Sequence, residues 1–163
     1  MRENSDVAVP TTGSWPGFED FVASQWTSLV GLAVLLTHDR GNAPDLVQDV
    51  LAGMLRRWES INEPKSYAAA SVRNAARRNG RRRLDLAVVL SANSEAVDET
   101  AQTTIDVQRA LSLLSPVQYE TVVLRYYVGL SDREIAATLR RRPGTVKSQL
   151  NRALARLRKE LGS

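Results

Sequence analysis

The sequence predicts an all-α protein made of two small helical domains joined by a flexible acidic linker. Three observations carry that prediction. Apolar residues recur at helical spacing in two separate blocks, at 18–83 and 106–161. Charge is distributed basic, acidic, basic along the chain. Helix-start and helix-stop chemistry (Ser-Pro, Ser-x-x-Glu, Pro-Gly) punctuates the second block. The chain has 163 residues, enough for one domain or two small ones. The expected divisions are a loose tail over 1–14, a first helical domain over 15–84, a linker over 85–105 and a second domain over 106–163.

The first helix is predicted from Phe18. Phe18, Phe21, Val22, Leu29, Ala33 and Leu36 repeat at helical spacing until HDRGNAP, residues 38–44, which has turn chemistry. Pro44 suits the first turn of the next helix, expected from Asp45 to about Trp58. Val47, Val50, Leu51, Met54, Leu55 and Trp58 form its buried stripe. Asp45, Gln48, Asp49, Ala52 and Arg56 form the opposite, polar face. SINEPKS, residues 60–66, reads as a loop.

A third helix is expected from about Lys65 to Arg83. One line on it runs Tyr67, Ser71, Asn74, Arg78, Arg81, at steps of four and three. Ala68, Val72, Ala75 and Ala76 lie to the side. The region 71–83 also holds Arg73, Arg77, Arg82 and Arg83, and no acid. An aromatic ring, an amide and guanidinium groups in a line suit a nucleic acid; a solvated basic face is the equal alternative. Residues 84–107 then carry Asp85, Glu95, Asp98, Glu99 and Asp106 with no base. Residues 85–105 read as a linker with room for one short helical turn.

The second block restarts near Asp106, with Val107, Ala110, Leu111 and Leu114 on one face. Ser115-Pro116 starts another helix, carrying Val117, Thr121, Leu124 and Val128 inward until Gly129 ends it. Ser131 and Glu134 have capping-box spacing. The capped helix points Ile135, Ala136 and Leu139 inward, and RRRPG turns the chain into PGTVKSQLNRALARLRKEL. Two helices joined by a tight turn make a helix-turn-helix. In its second helix Val146, Leu150, Ala153, Leu157 and Leu161 face inward. Lys147, Ser148, Asn151, Arg152 and Ala155 face outward. Such a helix enters the major groove at its N-terminal end. There Lys147 can donate to guanine O6 or N7, and Asn151 can pair with adenine. Arg140, Arg141, Arg142 and Arg152 suit phosphates.

Composition narrows the classes further. With no cysteine, disulfides and thiolate metal sites are excluded, which is compatible with the cytoplasm. No signal-peptide pattern is read, and the apolar run Leu29–Leu36 is too short to span a bilayer. His38 is the sole histidine, beside a turn, and no phosphate-binding glycine loop occurs. No cofactor, metal or enzymatic activity is expected.

The blocks DLVQDVLAGMLRRW with YAAASVRNAARRNGRRR, and LSPVQYETVVLRYYVGLSDREIAATLRRRPGTVKSQLNRALARLRKEL, resemble regions 2 and 4 of bacterial RNA polymerase sigma factors. The class they resemble is the extracytoplasmic-function (ECF) class of the sigma-70 family. The resemblance implies a sigma factor that binds core polymerase, recognises −10 and −35 promoter elements and promotes strand opening. Carried over by position, Asp45, Gln48, Asp49 and Arg56 would dock on the β′ clamp. Asn74, Tyr67, Ser71, Arg77, Arg78 and Arg81, with Ile61 and Asn62 of the loop, would recognise and melt the −10 element. Lys147, Ser148, Asn151, Arg152, Arg142 and Thr145 would read the −35 element. Region 4 would also grip the β flap, and an anti-sigma factor is an expected partner. Leu51 departs from the phenylalanine of many members, and the 60–66 loop is short. The alternative is a dimeric helix-turn-helix regulator acting without polymerase. A third reading, an interaction protein such as an anti-activator, is opposed by the two separate basic elements.

Overall fold

A computed structural model describes residues 15–79 and 99–162. Within them the secondary structure is helical, with no strand. The first block holds α1 (Phe18–Thr37), α2 (Ala43–Leu55), a 3₁₀ turn at Trp58–Ser60 and α3 (Pro64–Arg78). The second holds α4 (Glu99–Ser112), α5 (Pro116–Val122), a π-helical turn at Val123–Val128, α6 (Asp132–Leu139) and α7 (Pro143–Leu161).

Each helix of the first block is bounded by its own chemistry. His38 ends α1 in the left-handed region (φ 56°), its N–H bonding to Val34 O. Proline opens both α2 and α3, where a missing N–H costs nothing. Leu29, Leu32 and Ala33 of α1 meet Val47, Val50, Leu51 and Met54 of α2 and Ala68, Ala69 and Val72 of α3. The alanines let the α3 backbone come close to its neighbours. Trp58 closes one end. Its ring packs edge-on against Phe18 at 5.1 Å between centroids, and its indole N–H donates to Pro16 O.

α1 as a whole is long and apolar enough to cross a membrane, with mean hydropathy 1.3, although the run Leu29–Leu36 alone was expected to be too short. In the fold its apolar positions from Phe18 to Leu36 pack into the protein's own core.

Caps define the second block. Ser115 accepts from the Gln118 N–H while the Gln118 side chain accepts from Ser115 N–H, closing a capping box where only a Ser-Pro start was expected. Ser131 and Glu134 do the same at α6. Between them the helix of Val117 to Val128 does not stay α. It widens to π at Val123–Val128, so Val122 and Val123 turn inward beside Thr121, Leu124 and Val128.

α4 begins at Glu99, ahead of the restart expected near Asp106, and runs fourteen residues. Val107, expected on its inward face, is exposed and Gln108 is buried instead, so that face is rotated. The two blocks pack against each other. Leu124, Val128, Leu130, Ile135, Leu139 and Val146 join Leu32, Met54 and Val72 in one apolar cluster. A smaller cluster of Leu114, Val122, Leu150 and Ala153 binds α4 and α5 to α7.

Candidate nucleic-acid and polymerase interfaces

The second helix of the helix-turn-helix is built to stand clear of its own domain. Arg142 is its N-cap residue and Pro143 its first helical residue. Val146, Leu150 and Ala153 are buried, so Lys147, Asn151 and Arg152 are turned out and exposed. The turn before it needs a left-handed residue, and Arg140 supplies it at φ 51° where glycine is usual. That leaves Arg140, Arg141 and Arg142 exposed beside the helix N-terminus, where N–H groups and guanidinium groups both favour phosphate. Ser148 and Thr145 are half-buried, and the Ser148 hydroxyl donates to Thr145 O at 3.0 Å. Its lone pairs remain for an outside donor. Leu161, expected inside, is 42% exposed because the helix runs past the core.

On α3 the line of Tyr67, Ser71, Asn74 and Arg78 lies together on one face, with Arg77 beside it. Asn74, Arg77 and Arg78 are exposed, Tyr67 is 38% exposed and Ser71 half-buried. Arg81 falls outside the described residues. The loop before α3 brings Asn62 to the surface while Ile61 leans on the core. Ile61, Asn62, Ser66 and Tyr67 line one wall of a cavity of about 770 Å³; Ser131, Arg133, Glu134 and Thr138 line the other. On α2, Asp45, Gln48, Asp49 and Arg56 are all exposed.

Three groups were not singled out from sequence. Arg73, counted with the basic cluster, is 8% exposed. Its Nε donates to Glu120 Oε2 at 2.9 Å and its Nη1 to Thr138 O at 3.4 Å. The flanking Ala69 and Ala76, four before and three after, were the available sign that position 73 faces inward. Tyr119 donates its hydroxyl to Leu35 O at 3.1 Å, and burial holds that phenol far above its ordinary range. Lys65 reaches toward α6. Glu134 is held below the ordinary carboxylate range by the Ser131 N–H first, by the Ser131 hydroxyl next, and with help from the Lys65 charge.

His38 lies with its ring 6.4 Å from that of Tyr119, and burial lowers its basicity. Among the described residues no group of three His, Cys, Asp or Glu side chains is placed to hold a metal ion.

Exposed basic faces thus lie on one helix of each block, α3 in the first and α7 in the second. The sigma-70 region 2 family model matches residues 27–85 and the sigma-70 region 4 model residues 104–157. The RNA polymerase sigma-E factor of Streptomyces coelicolor is 36% identical over 88% of this chain and 85% of its own length. That of Streptomyces avermitilis is 34% identical over 90% and 86%. Among solved structures, the sigma factor RpoE of Bartonella quintana, in complex with the anti-sigma factor NepR, superposes with TM-score 0.68. It is 24% identical over 89% of this chain and 96% of its own. CnrH, in complex with the cytosolic domain of CnrY, gives TM-score 0.68 at 21% identity, over 92% and 90%. The chain belongs to the sigma-70 family of RNA polymerase sigma factors, in its ECF class. A dimeric regulator acting without polymerase is not favoured, since that reading leaves the region 2 match without a role.

Proposed function

We propose that this sigma factor divides its work among three faces. α2 docks on the β′ clamp of core polymerase through Asp45, Gln48, Asp49 and Arg56. α3 and the 61–66 loop capture the −10 strand: Arg77, Arg78 and Arg81 hold phosphates, while Tyr67, Ser71, Asn74, Ile61 and Asn62 receive unstacked bases. α7 reads the −35 duplex with Lys147, Ser148 and Asn151, while Arg152, Arg142 and Thr145 hold its backbone. Region 4 grips the β flap. The chain works in the cytoplasm without catalysing a reaction itself. An anti-sigma factor restrains it, a reading supported by the NepR complex of the Bartonella protein.

The observation that carries this reading is simultaneous exposure. Asp45 and Asp49 on α2, Asn74 and Arg78 on α3, and Lys147 and Asn151 on α7 all face solvent on three different helices. Unstacking a base costs a few kcal/mol. Stacking it on an aromatic ring returns roughly 1–3 kcal/mol. Strand capture by Tyr67 and its neighbours is therefore how binding energy becomes melting.

The test is run-off transcription with bacterial core polymerase on a pool of promoter fragments. New start sites that require this chain, and that weaken with Asp49→Ala, are the expected result. Initiation that is absent, or unchanged by Asp49→Ala, would remove the docking assignment.

A further inference from the structure

The cavity between the loop before α3 and α6 has two walls, and strand capture uses only one of them. Tyr67 and Asn62 line the first, and in the reading above they receive an unstacked base. The second wall, carried by α6, has no part in that role. The volume of about 770 Å³ falls in the range of small-molecule and cofactor sites, about 300–1,000 Å³. What such a space can hold is set by which of its polar groups are still free.

Several are already engaged. The Ser60 hydroxyl donates to Arg57 O at 2.7 Å, and the Ser66 hydroxyl to Glu63 O at 3.3 Å. Glu134 accepts from both the N–H and the hydroxyl of Ser131, each at 2.8 Å, and the Lys65 charge lies near it. Four groups are left over. Among the described residues, the Arg57 and Arg133 guanidinium groups, the Asn62 amide and the Tyr67 hydroxyl have no hydrogen bond or ion pair within the protein. Arg57 belongs to the first wall and Arg133 to the second. Ala70, one turn on from Tyr67, and Ala137 on the facing wall contribute only methyl groups, so the space beside the ring is left open.

Each free group suits a different part of one ligand. A half-exposed aromatic ring stacks a base. A carboxamide offers the donor and acceptor that pair with adenine N6 and N7. Guanidinium groups are always charged and bind phosphate oxygens in pairs, so two of them suit a chain of phosphates. Glu63 follows Asn62 on the first wall, and a carboxylate there repels phosphate but accepts from an exocyclic amino group.

We propose that this cavity is a site for a free adenine nucleotide with two or more phosphates, its base on Tyr67 and Asn62 and its phosphates between Arg57 and Arg133. The site needs both walls. Its occupant takes the two side chains that strand capture uses, so bound nucleotide excludes an unstacked promoter base and makes strand opening sensitive to nucleotide concentration. That consequence rests on the strand-capture role given above; the binding itself does not. A base with its phosphates could also come from single-stranded DNA, and the experiment separates the two sources.

The test is isothermal titration calorimetry on the full-length chain at about 0.15 M salt, where exposed charges are screened. ADP, adenosine and inorganic pyrophosphate are separate titrants. ADP should bind one to one, and adenosine and pyrophosphate each about tenfold more weakly. Arg133→Ala and Tyr67→Ala should each weaken ADP about tenfold. Arg152→Ala, on α7, should leave ADP binding unchanged. Circular dichroism checks each variant; should Tyr67→Ala fail to fold, Asn62→Ala, exposed in the loop, replaces it.

Absence of ADP binding up to about 1 mM would overturn the site. So would ADP binding that survives Arg133→Ala, because the second wall would then take no part. Pyrophosphate binding as tight as ADP, or an equal loss with Arg152→Ala, would reduce the effect to general attraction of anions to a basic chain and overturn it too. A short oligo-deoxyadenosine strand reports the other source. Strand binding that falls with Tyr67→Ala but not with Arg133→Ala, in a chain that does not bind ADP, would replace the nucleotide site with strand capture alone. No polymerase enters these titrations, so failure of the site is read apart from failure of the promoter roles, which the transcription assay reports.

Discussion

α3 and α7 are both arginine-rich helices opened by proline, and they use their charge differently. α7 keeps every cation outside; Lys147, Arg152, Arg156 and Arg158 are exposed and its inward positions are Val146, Leu150 and Ala153. α3 exposes Arg77 and Arg78 but buries Arg73 against Glu120. Local charge density therefore does not identify a polyanion-binding face. An arginine flanked by alanines on an inward stripe serves protein contact, and one flanked by polar residues on an outward stripe is free for phosphate. The reason is desolvation: a buried guanidinium must find a carboxylate and a carbonyl of its own protein, and then has no donors to offer a ligand.

The largest effect that would break this contrast concerns stability. Arg73→Ala leaves Glu120 facing a partly buried void and should cost about 3 kcal/mol in chemical denaturation. Arg77→Ala, on the exposed side of the same helix, should stay within about 0.5 kcal/mol. Equal costs would mean that the two arginines are not differently employed.

Next comes recognition. Lys147→Ala should lose roughly 1–3 kcal/mol of discrimination at one −35 position. Arg152→Ala should weaken all promoters alike and flatten the salt dependence by about one unit. Titrations of promoter variants at several salt concentrations separate the two. A uniform loss for Lys147→Ala would move it to the phosphate group.

A smaller effect sharpens the comparison at the start of the helix-turn-helix. Ser131→Ala removes the acceptor for Glu134 N–H and should lower stability by about 1 kcal/mol. Thermal unfolding should show it without any change in promoter preference.

Smallest is a pH effect. Glu134 is held below its ordinary 4.5 in the folded state, so its contribution is present above that value and is lost as pH falls through the lower folded one. Glu134→Gln should flatten the acid limb of the stability curve below about pH 5 by lowering stability slightly at neutral pH while leaving the acid end unchanged. The group is partly exposed, so solvent screening keeps the change to a fraction of a kcal/mol.

What was legible in the sequence was whatever depends on near neighbours in the chain. The apolar stripe of Val47, Val50, Leu51 and Met54 defined a buried face because helical spacing alone decides which side chains share it. The Ser131–Glu134 box and the Pro143 start delimited the helix-turn-helix because their partners lie three residues away or less. The outward set Lys147, Asn151 and Arg152 followed from the inward set Val146, Leu150 and Ala153 by the same rule.

Tertiary structure alone decided the rest. The π turn at Val123–Val128 packs against α1 and α6, elements that local propensity does not report. The fate of Arg73 was settled 47 residues away, at Glu120, and that of Tyr119 by a carbonyl 84 residues away, at Leu35. Periodicity reports which residues share a face. It carries no information on which distant face will meet it, because that choice belongs to the burial of the whole chain, and so the contact between the two blocks was invisible until the fold brought them together.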